Sequence, residues 1–229
     1  MEKRIASISL LLFLLSGRGG IASAQELHPK LKSGEKAIRN VLLLPPKVEI
    51  VRQTVKGMEG MIKESQEVEE TVIKMVTKVL SEKKINLVNN PFTAQALEAN
   101  SEVKYALADI QSRYDALLPK LWKEPKDVAK GRFTLGDEVV KLNSDGSPDA
   151  LLFVRAHGVK PTTGKTMLGA LTLRLHVPLI SLSIGLVDSR TGEVLLFAKP
   201  IGFGDAVDEG EKVLYKPIAK SLKKLPSAP

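Results

Sequence analysis

Hydrophobic positions follow two different spacings along the chain, and together these predict alternating strands and helices. Short apolar or alternating segments, typical of β-strands, occur at residues 40–44, 48–55, 85–88, 150–156, 179–188 and 193–201. Apolar residues recur at helical spacing over residues 65–84, over a longer segment that runs to Pro119, and over residues 209–225. We therefore predict an α/β fold with a single mixed β-sheet of about five to six strands, flanked by about three helices.

The helix predicted over residues 65–84 carries a continuous apolar stripe. It consists of Val68, Val72, Met75, Val76, Val79 and Leu80. Before this helix, Pro45 and Pro46 separate two predicted strands, which we expect to pair with each other. After it, Asn90 and Pro91 resemble an N-cap followed by proline at the first helical position, and so predict the start of the next helix.

The late strands form a predicted hairpin. The segments 179–188 and 193–201 are joined by a short turn that ends at Gly192, which can adopt the positive φ that such a turn needs. The C-terminal helix follows, with an apolar face and many lysines. These are Lys212, Lys216, Lys220, Lys223 and Lys224. They are either a solvated helix face or a contact with an anionic surface.

The first 24 residues have the three-part layout of a secretory signal peptide. A positive start at Lys3 and Arg4 precedes an apolar run over residues 5–15, and small residues lead up to a cleavage site between Ala24 and Gln25. The apolar run is shorter than the roughly 20 residues that span a bilayer. Arg18 is unusual so near a cleavage site, so retention as an uncleaved anchor remains an alternative.

These patterns predict three divisions of the 229-residue chain. Residues 1–24 are a signal peptide, residues 25–38 a flexible lead, and residues 39–229 a single α/β domain. The chain has no cysteine, which excludes disulfides, thiol catalysis and a lipidated cysteine after the apolar run. We therefore expect a periplasmic or secreted protein that is not lipidated.

The residues that could carry chemistry do not assemble into a catalytic or metal-binding motif. Gly164-Lys165-Thr166 lacks the earlier glycine of a P-loop, because position 159 is valine. The three histidines, His28, His157 and His176, lack the His-x-x-x-His or His-x-His spacing of a metal site. No Gly-x-Ser-x-Gly nucleophile elbow occurs. We predict no enzyme activity, cofactor or metal, since a weak hydrolase would need carboxylates from distant segments.

Two stretches of sequence resemble a known group of proteins. The first is Val41-Leu42-Leu43-Leu44-Pro45-Pro46 followed by Val48-Glu49-Ile50, and the second is the hairpin of residues 186–194 with its Asp-x-x-Thr-Gly turn. They resemble small bacterial envelope proteins related to the TolB amino-terminal domain, a group that includes CsgG-like and LpoB-like lipoproteins. The resemblance implies a mixed sheet with packed helices and a non-catalytic role in envelope assembly or secretion. It leaves residues 122–142 and 165–178 uncovered.

The export signal, the absence of a catalytic constellation and the resemblance together give the functional hypothesis. The charge of +8 suits an anionic surface, and an exported protein is not expected to meet nucleic acid. We expect an accessory or adaptor protein that binds an envelope protein or a peripheral membrane surface. Assembly into a homo-oligomer is also compatible with the sequence. The candidate contacts are Arg155 and His157 at a strand end, and Asp188 and Arg190 at the hairpin turn. The alternative is a small-ligand, glycan or lipid-binding periplasmic protein with a pocket against the sheet.

Overall fold

A computed structural model of the chain describes residues 25–89, 91–142, 148–161 and 178–226. The signal-peptide prediction, the P-loop-like segment at residues 164–166 and most of the 165–178 segment lie outside these ranges. The described residues form a single mixed β-sheet with helices on both faces, which confirms the predicted α/β class.

Within the described ranges, the sheet has nine strands rather than the predicted five to six. They are β1 (Gln25–Leu27), β2 (Asn40–Leu43), β3 (Lys47–Thr54), β4 (Gly57–Gly60), β5 (Asn86–Leu87), β6 (Ala150–Pro161), β7 (Leu179–Asp188), β8 (Val194–Ala198) and β9 (Ile201–Phe203). The helices are α1 (Pro29–Lys32), α2 (Ile62–Glu82), α3 (Ala94–Ala99), α4 (Ser101–Lys123) and α5 (Gly210–Leu222). Two 3-10 helices span Pro125–Lys130 and Asp137–Leu142. The strands missed by the sequence prediction have three or four residues each, too few to show a period.

Strand β6 lies at the centre of the sheet, in the order β1-β8-β7-β6-β2-β5. Both β2 and β3 pair with β6 in parallel, β2 at its start and β3 further along. The prediction that these two strands pair with each other is therefore wrong. Pro45 and Pro46 lie between β2 and β3 and have no backbone N–H to donate. They therefore interrupt the pairing of this part of the chain with β6, and they do not form a hairpin turn between β2 and β3.

Two hydrophobic cores lie on opposite faces of the sheet. One face packs against α2 and α5 through residues that include Val72, Val76 and Leu214, and the whole predicted stripe of α2 is buried. The other face packs against α4 and the two 3-10 helices through residues that include Tyr114 and Leu121. The fold is therefore a three-layer arrangement in which each helix buries one stripe.

The segment predicted as a flexible lead is part of the packed domain. Strand β1 pairs antiparallel with β8, and Leu31 and Ile38 are 3% and 1% exposed. His28 caps α1 by accepting from the backbone N–H of Lys30 at 3.2 Å. A strand of three residues is held by its partner strand about 170 positions away, and local sequence patterns do not register such a partner.

Two helix boundaries also differ from the prediction. Helix α3 begins at Ala94 with Thr93 as its N-cap, so the helix does not start at Pro91. Helix α4 continues through Pro119 to Lys123, and the residues after it, predicted as irregular, contain the two 3-10 helices. The hairpin of β7 and β8 is confirmed, with Gly192 at a φ of 72°.

Candidate binding surface

Within the described residues, the sheet face that packs against α4 is only partly covered. Cross-strand pairs place Glu49, His157, Ser181 and Ile201 in one row across β3, β6, β7 and β9. The neighbouring row contains Val159, Leu179 and Phe203. All seven side chains are exposed or partly exposed. We call this surface the open sheet face.

Side chains alternate between the two faces of the sheet along β6 and β7, and this alternation shows where α4 stops covering its face. Successive side chains of a strand point to opposite faces, so Leu182 and Ile184 enter the core beneath α2 and α5, while Ser181 and Ser183 point to the other face. Further along that face, Tyr114 of α4 stacks on Phe153, with ring centroids 4.2 Å apart. The open sheet face begins where these aromatic residues give way to serine, arginine and histidine.

His157 and Glu49 form an exposed pair on the open sheet face. His157 Nδ1 lies 3.2 Å from Glu49 Oε2, and the two side chains are 49% and 70% exposed. A polar contact at this exposure contributes little to folding stability because water competes for both groups. Both groups therefore remain available to a partner's polar atoms.

Phe203 is the large apolar side chain of this surface. It lies on β9 and is 61% exposed. A cavity of about 170 Å³ adjoins it between β9 and α5, and Lys199, Lys216 and Lys220 contribute to its lining. That volume is below the roughly 300 Å³ of small-ligand pockets, so the cavity fits a single side chain better than a ligand.

Trp122 and Lys199 connect this surface to the end of α4. The Trp122 indole donates to Ser183 Oγ at 2.7 Å, and Lys199 Nζ donates to the Trp122 carbonyl at 2.9 Å. Lys199 Nζ also lies 5.2 Å from the centroid of the indole ring, within range of a cation–π interaction. Trp122 opens the 122–142 segment that the resemblance left uncovered.

Arg155 is bound within the protein instead of being available to a partner. Its guanidinium donates to Asp115 Oδ1 at 2.6 Å and to Gln111 Oε1 at 2.8 Å, and lies 5.4 Å from the Tyr114 ring centroid. Burial raises the pKa of Asp115, but the hydrogen bonds from Lys47 and Arg155 outweigh it and hold that pKa below its usual value. The Arg155 side chain is only 11% exposed, which fits a role in joining α4 to the sheet.

Asp188 and Arg190 lie at the opposite end of β7. Asp188 pairs with Ala150, whereas His157 pairs with Ser181, seven positions away along β7. Asp188 accepts from the backbone N–H groups of Arg190 and Thr191 at 2.8 and 3.1 Å. Asp188 therefore shapes the turn, and the four candidate residues do not form one site.

Lys36 completes the environment of Asp188. Lys36 Nζ lies 2.9 Å from the Asp188 carboxylate, which is almost fully buried. Burial raises the pKa of Asp188, but the hydrogen bonds from Lys36 and from the turn amides outweigh it, so the pKa is lowered. The Arg190 side chain is exposed at the turn.

Only His157 of the four candidates lies on the open sheet face, and sequence reasoning missed Glu49, Ile201 and Phe203. The sequence signal for these residues was weak, because a row across four strands becomes visible only once the register is known. Within residues 25–89, 91–142, 148–161 and 178–226, no group of three or more His, Asp or Glu residues could hold a metal ion. In the same ranges, no helix is long and apolar enough to cross a membrane.

Comparisons with known proteins do not place the chain in a family. No family model matches the sequence, and no curated protein matches it. The PelC dodecamer from Paraburkholderia phytofirmans is 13% identical, with 90% of this chain and 97% of that chain covered and a TM-score of 0.43. A substituted form of the same dodecamer gives 12% identity, 89% and 97% coverage, and a TM-score of 0.41. Lipoprotein GNA1162 from Neisseria meningitidis is 16% identical, with 73% and 82% covered and a TM-score of 0.35.

At these identities and TM-scores, no function transfers from those proteins to this chain. The resemblance to the TolB- and CsgG-related group is not confirmed by them. The functional argument therefore rests on this chain's own residues.

Proposed function

We propose that this chain is an exported, non-catalytic accessory or adaptor protein of the bacterial envelope, and that it binds another envelope protein through the open sheet face. The observation that carries the proposal is Phe203, which is exposed on the same sheet face as the His157–Glu49 pair, beyond the part of that face that α4 covers. Aromatic side chains are enriched at protein interfaces, where their burial supplies much of the binding energy.

The composition of the surface favours a protein partner over a lipid surface. Apolar Phe203, Ile201 and Leu179 share this surface with polar Ser181, His157 and Glu49, which matches an interface with an apolar centre and a polar rim. A peripheral membrane contact would favour one positive sign across the whole surface. The lysines beside Phe203 lie at the rim, where they would affect association rate more than affinity.

Export is supported by the compatibility of the predicted cleavage site with the fold. The Gln25 side chain donates to the Ser221 carbonyl at 2.6 Å, and Lys224 Nζ donates to the Gln25 carbonyl at 3.3 Å. Cleavage between Ala24 and Gln25 leaves these contacts and all of β1 intact. N-terminal sequencing of the protein from a periplasmic extract should give a chain that begins at Gln25, whereas an intact N-terminus in the membrane fraction would support the uncleaved anchor.

The binding proposal is tested by capture from cells with two matched variants. Phe203→Ser removes the exposed aromatic residue of the open sheet face, and Tyr105→Ser removes one from α4 that is 73% exposed. After crosslinking in cells, mass spectrometry should find one envelope protein whose recovery falls about tenfold with Phe203→Ser, equivalent to about 1.4 kcal/mol of binding. Recovery with Tyr105→Ser should match the wild type. Equal recovery from all three proteins would contradict the proposal.

A further inference from the structure

A second cavity lies on the side of the sheet opposite β9. It has a volume of about 310 Å³ and lies where β2 and β5 end, between Pro45, Leu87, Ile73 of α2 and Phe92. Strands β2 and β5 are parallel, so the cavity adjoins two carboxyl ends of neighbouring strands. We call this cavity the strand-end cleft.

The walls of the strand-end cleft are mostly apolar, and its volume is at the lower end of the roughly 300–1,000 Å³ of small-molecule sites. Among the described residues that line it, Glu69 carries the only charge. Glu69 and Ile73 are four residues apart and so lie on the same side of α2. The cleft therefore combines an apolar surface with one carboxylate.

The Glu69 carboxylate has no cation or hydrogen-bond donor within reach among the described residues, although it is partly buried. Burial raises the pKa of Glu69, and the neighbouring Glu70 carboxylate raises it further. A carboxylate that is partly removed from water and unpaired is unfavourable, and a cation placed beside it would relieve that cost. The exposed Glu67 on the same helix lies 3.6 Å from Lys63 and so has a partner of its own.

We propose that the strand-end cleft binds a small organic cation, with an apolar body against Ile73, Leu87 and Phe92 and a protonated amine beside Glu69. A carboxylate ligand would be repelled by Glu69. A neutral apolar ligand would displace water from Glu69 without supplying a partner for it. The site is independent of the open sheet face, so each proposal can fail without the other.

The test uses three probes with the same eight-carbon body, titrated calorimetrically into the purified protein at neutral pH. Octylammonium should bind saturably at one site, 1-octanol about tenfold more weakly, and octanoate more weakly still. Glu69→Gln should weaken octylammonium to the level of 1-octanol. Glu67→Gln changes net charge by the same amount on the same helix and should leave the Kd of octylammonium within about twofold of wild type.

A filling variant locates the binding. Ile73 is 36% exposed at the rim, so Ile73→Trp should occupy the strand-end cleft and abolish binding of octylammonium and 1-octanol together. Thermal unfolding of each variant checks that it is folded. Equal affinity for octylammonium and 1-octanol, or an unchanged octylammonium Kd in Glu69→Gln, would overturn the proposal, as would the absence of saturable octylammonium binding.

Discussion

Arg155 on β6 and Asp115 on α4 form an ion pair in which Arg155 Nε lies 2.6 Å from Asp115 Oδ1. Lys47 on β3 occupies the second carboxylate oxygen, also at 2.6 Å. The carboxylate thus joins α4 to two strands at the point where the open sheet face begins. The border of the proposed binding surface is fixed by this network before any partner arrives.

Loss of the Arg155 guanidinium should destabilise the fold measurably. Arg155→Met keeps much of the side chain's apolar length but leaves Asp115 with Lys47 alone, so we expect the free energy of unfolding to fall by about 2 kcal/mol. This is below the range for fully buried pairs, because Asp115 is 36% exposed. Arg113→Met is the control. The ion pair of Arg113 with Asp109 is exposed on α4, the helix that carries Asp115, and should contribute less than about 0.5 kcal/mol to the free energy of unfolding. Urea unfolding that gives equal losses for both variants would contradict the account.

Asp115 should also make stability depend on acid pH. Because its pKa in the folded protein is lowered from 3.8, its contribution is complete above about pH 4 and is lost as pH falls through the lower folded value. Asp115→Asn should therefore lower stability at pH 6 and flatten its decline below about pH 4. Urea unfolding from pH 6 to pH 2.5 measures both curves, and parallel curves for Asp115→Asn and wild type would exclude this role.

Tyr114 carries a hydroxyl that is completely buried and has no hydrogen-bond partner among the described residues. Tyr114→Phe removes that group and retains the stack on Phe153, so unfolding free energy should stay unchanged or rise by about 1 kcal/mol. Tyr215→Phe should instead lower stability slightly, because the Tyr215 hydroxyl lies 2.9 Å from a Glu82 oxygen. A clear loss of stability in Tyr114→Phe would show that the hydroxyl has a favourable partner.

The helices were predictable because their signals are local. The stripe from Val68 to Leu80 has the helical period within one segment, and the buried face of α5 through Leu214 and Ile218 follows the same rule. Strands β1 and β9 were not predictable, since three residues show no period and each strand depends on a partner elsewhere. The pairing of β2 and β3 failed for a related reason: both find β6, more than 100 residues later in the chain.

The binding surface was only partly predictable. His157 was identified because the strand was predicted to end at residue 156, but β6 continues to Pro161 and contains His157. Its partner Glu49 is 108 residues away in sequence. Asp188 was selected because it lies at the predicted hairpin turn. Its side chain accepts from the backbone amides of Arg190 and Thr191 and so stabilises that turn. Phe203 drew no attention because nothing in its local sequence separates an exposed phenylalanine from a buried one.

The packing of residues 25–38 against the sheet predicts that this segment contributes to stability. Leu31→Ala opens a space beneath α1 and should lower the free energy of unfolding by about 2–3 kcal/mol. The neighbouring Lys32 is exposed, so Lys32→Ala should change stability by less than about 0.5 kcal/mol. Denaturant unfolding compares the two variants, and equal stabilities would mean that the segment is detached in solution.

The most direct test of the central claim is site-specific photocrosslinking in cells. A benzophenone amino acid is placed in turn at Glu49, Ile201 and Phe203 on the open sheet face, and at Tyr105 and Val140, which are exposed outside it. We predict one adduct with the same envelope protein from all three positions of the open sheet face, and none from Tyr105 or Val140. Adducts from Tyr105 or Val140 alone, or none from any position of the open sheet face, would contradict it.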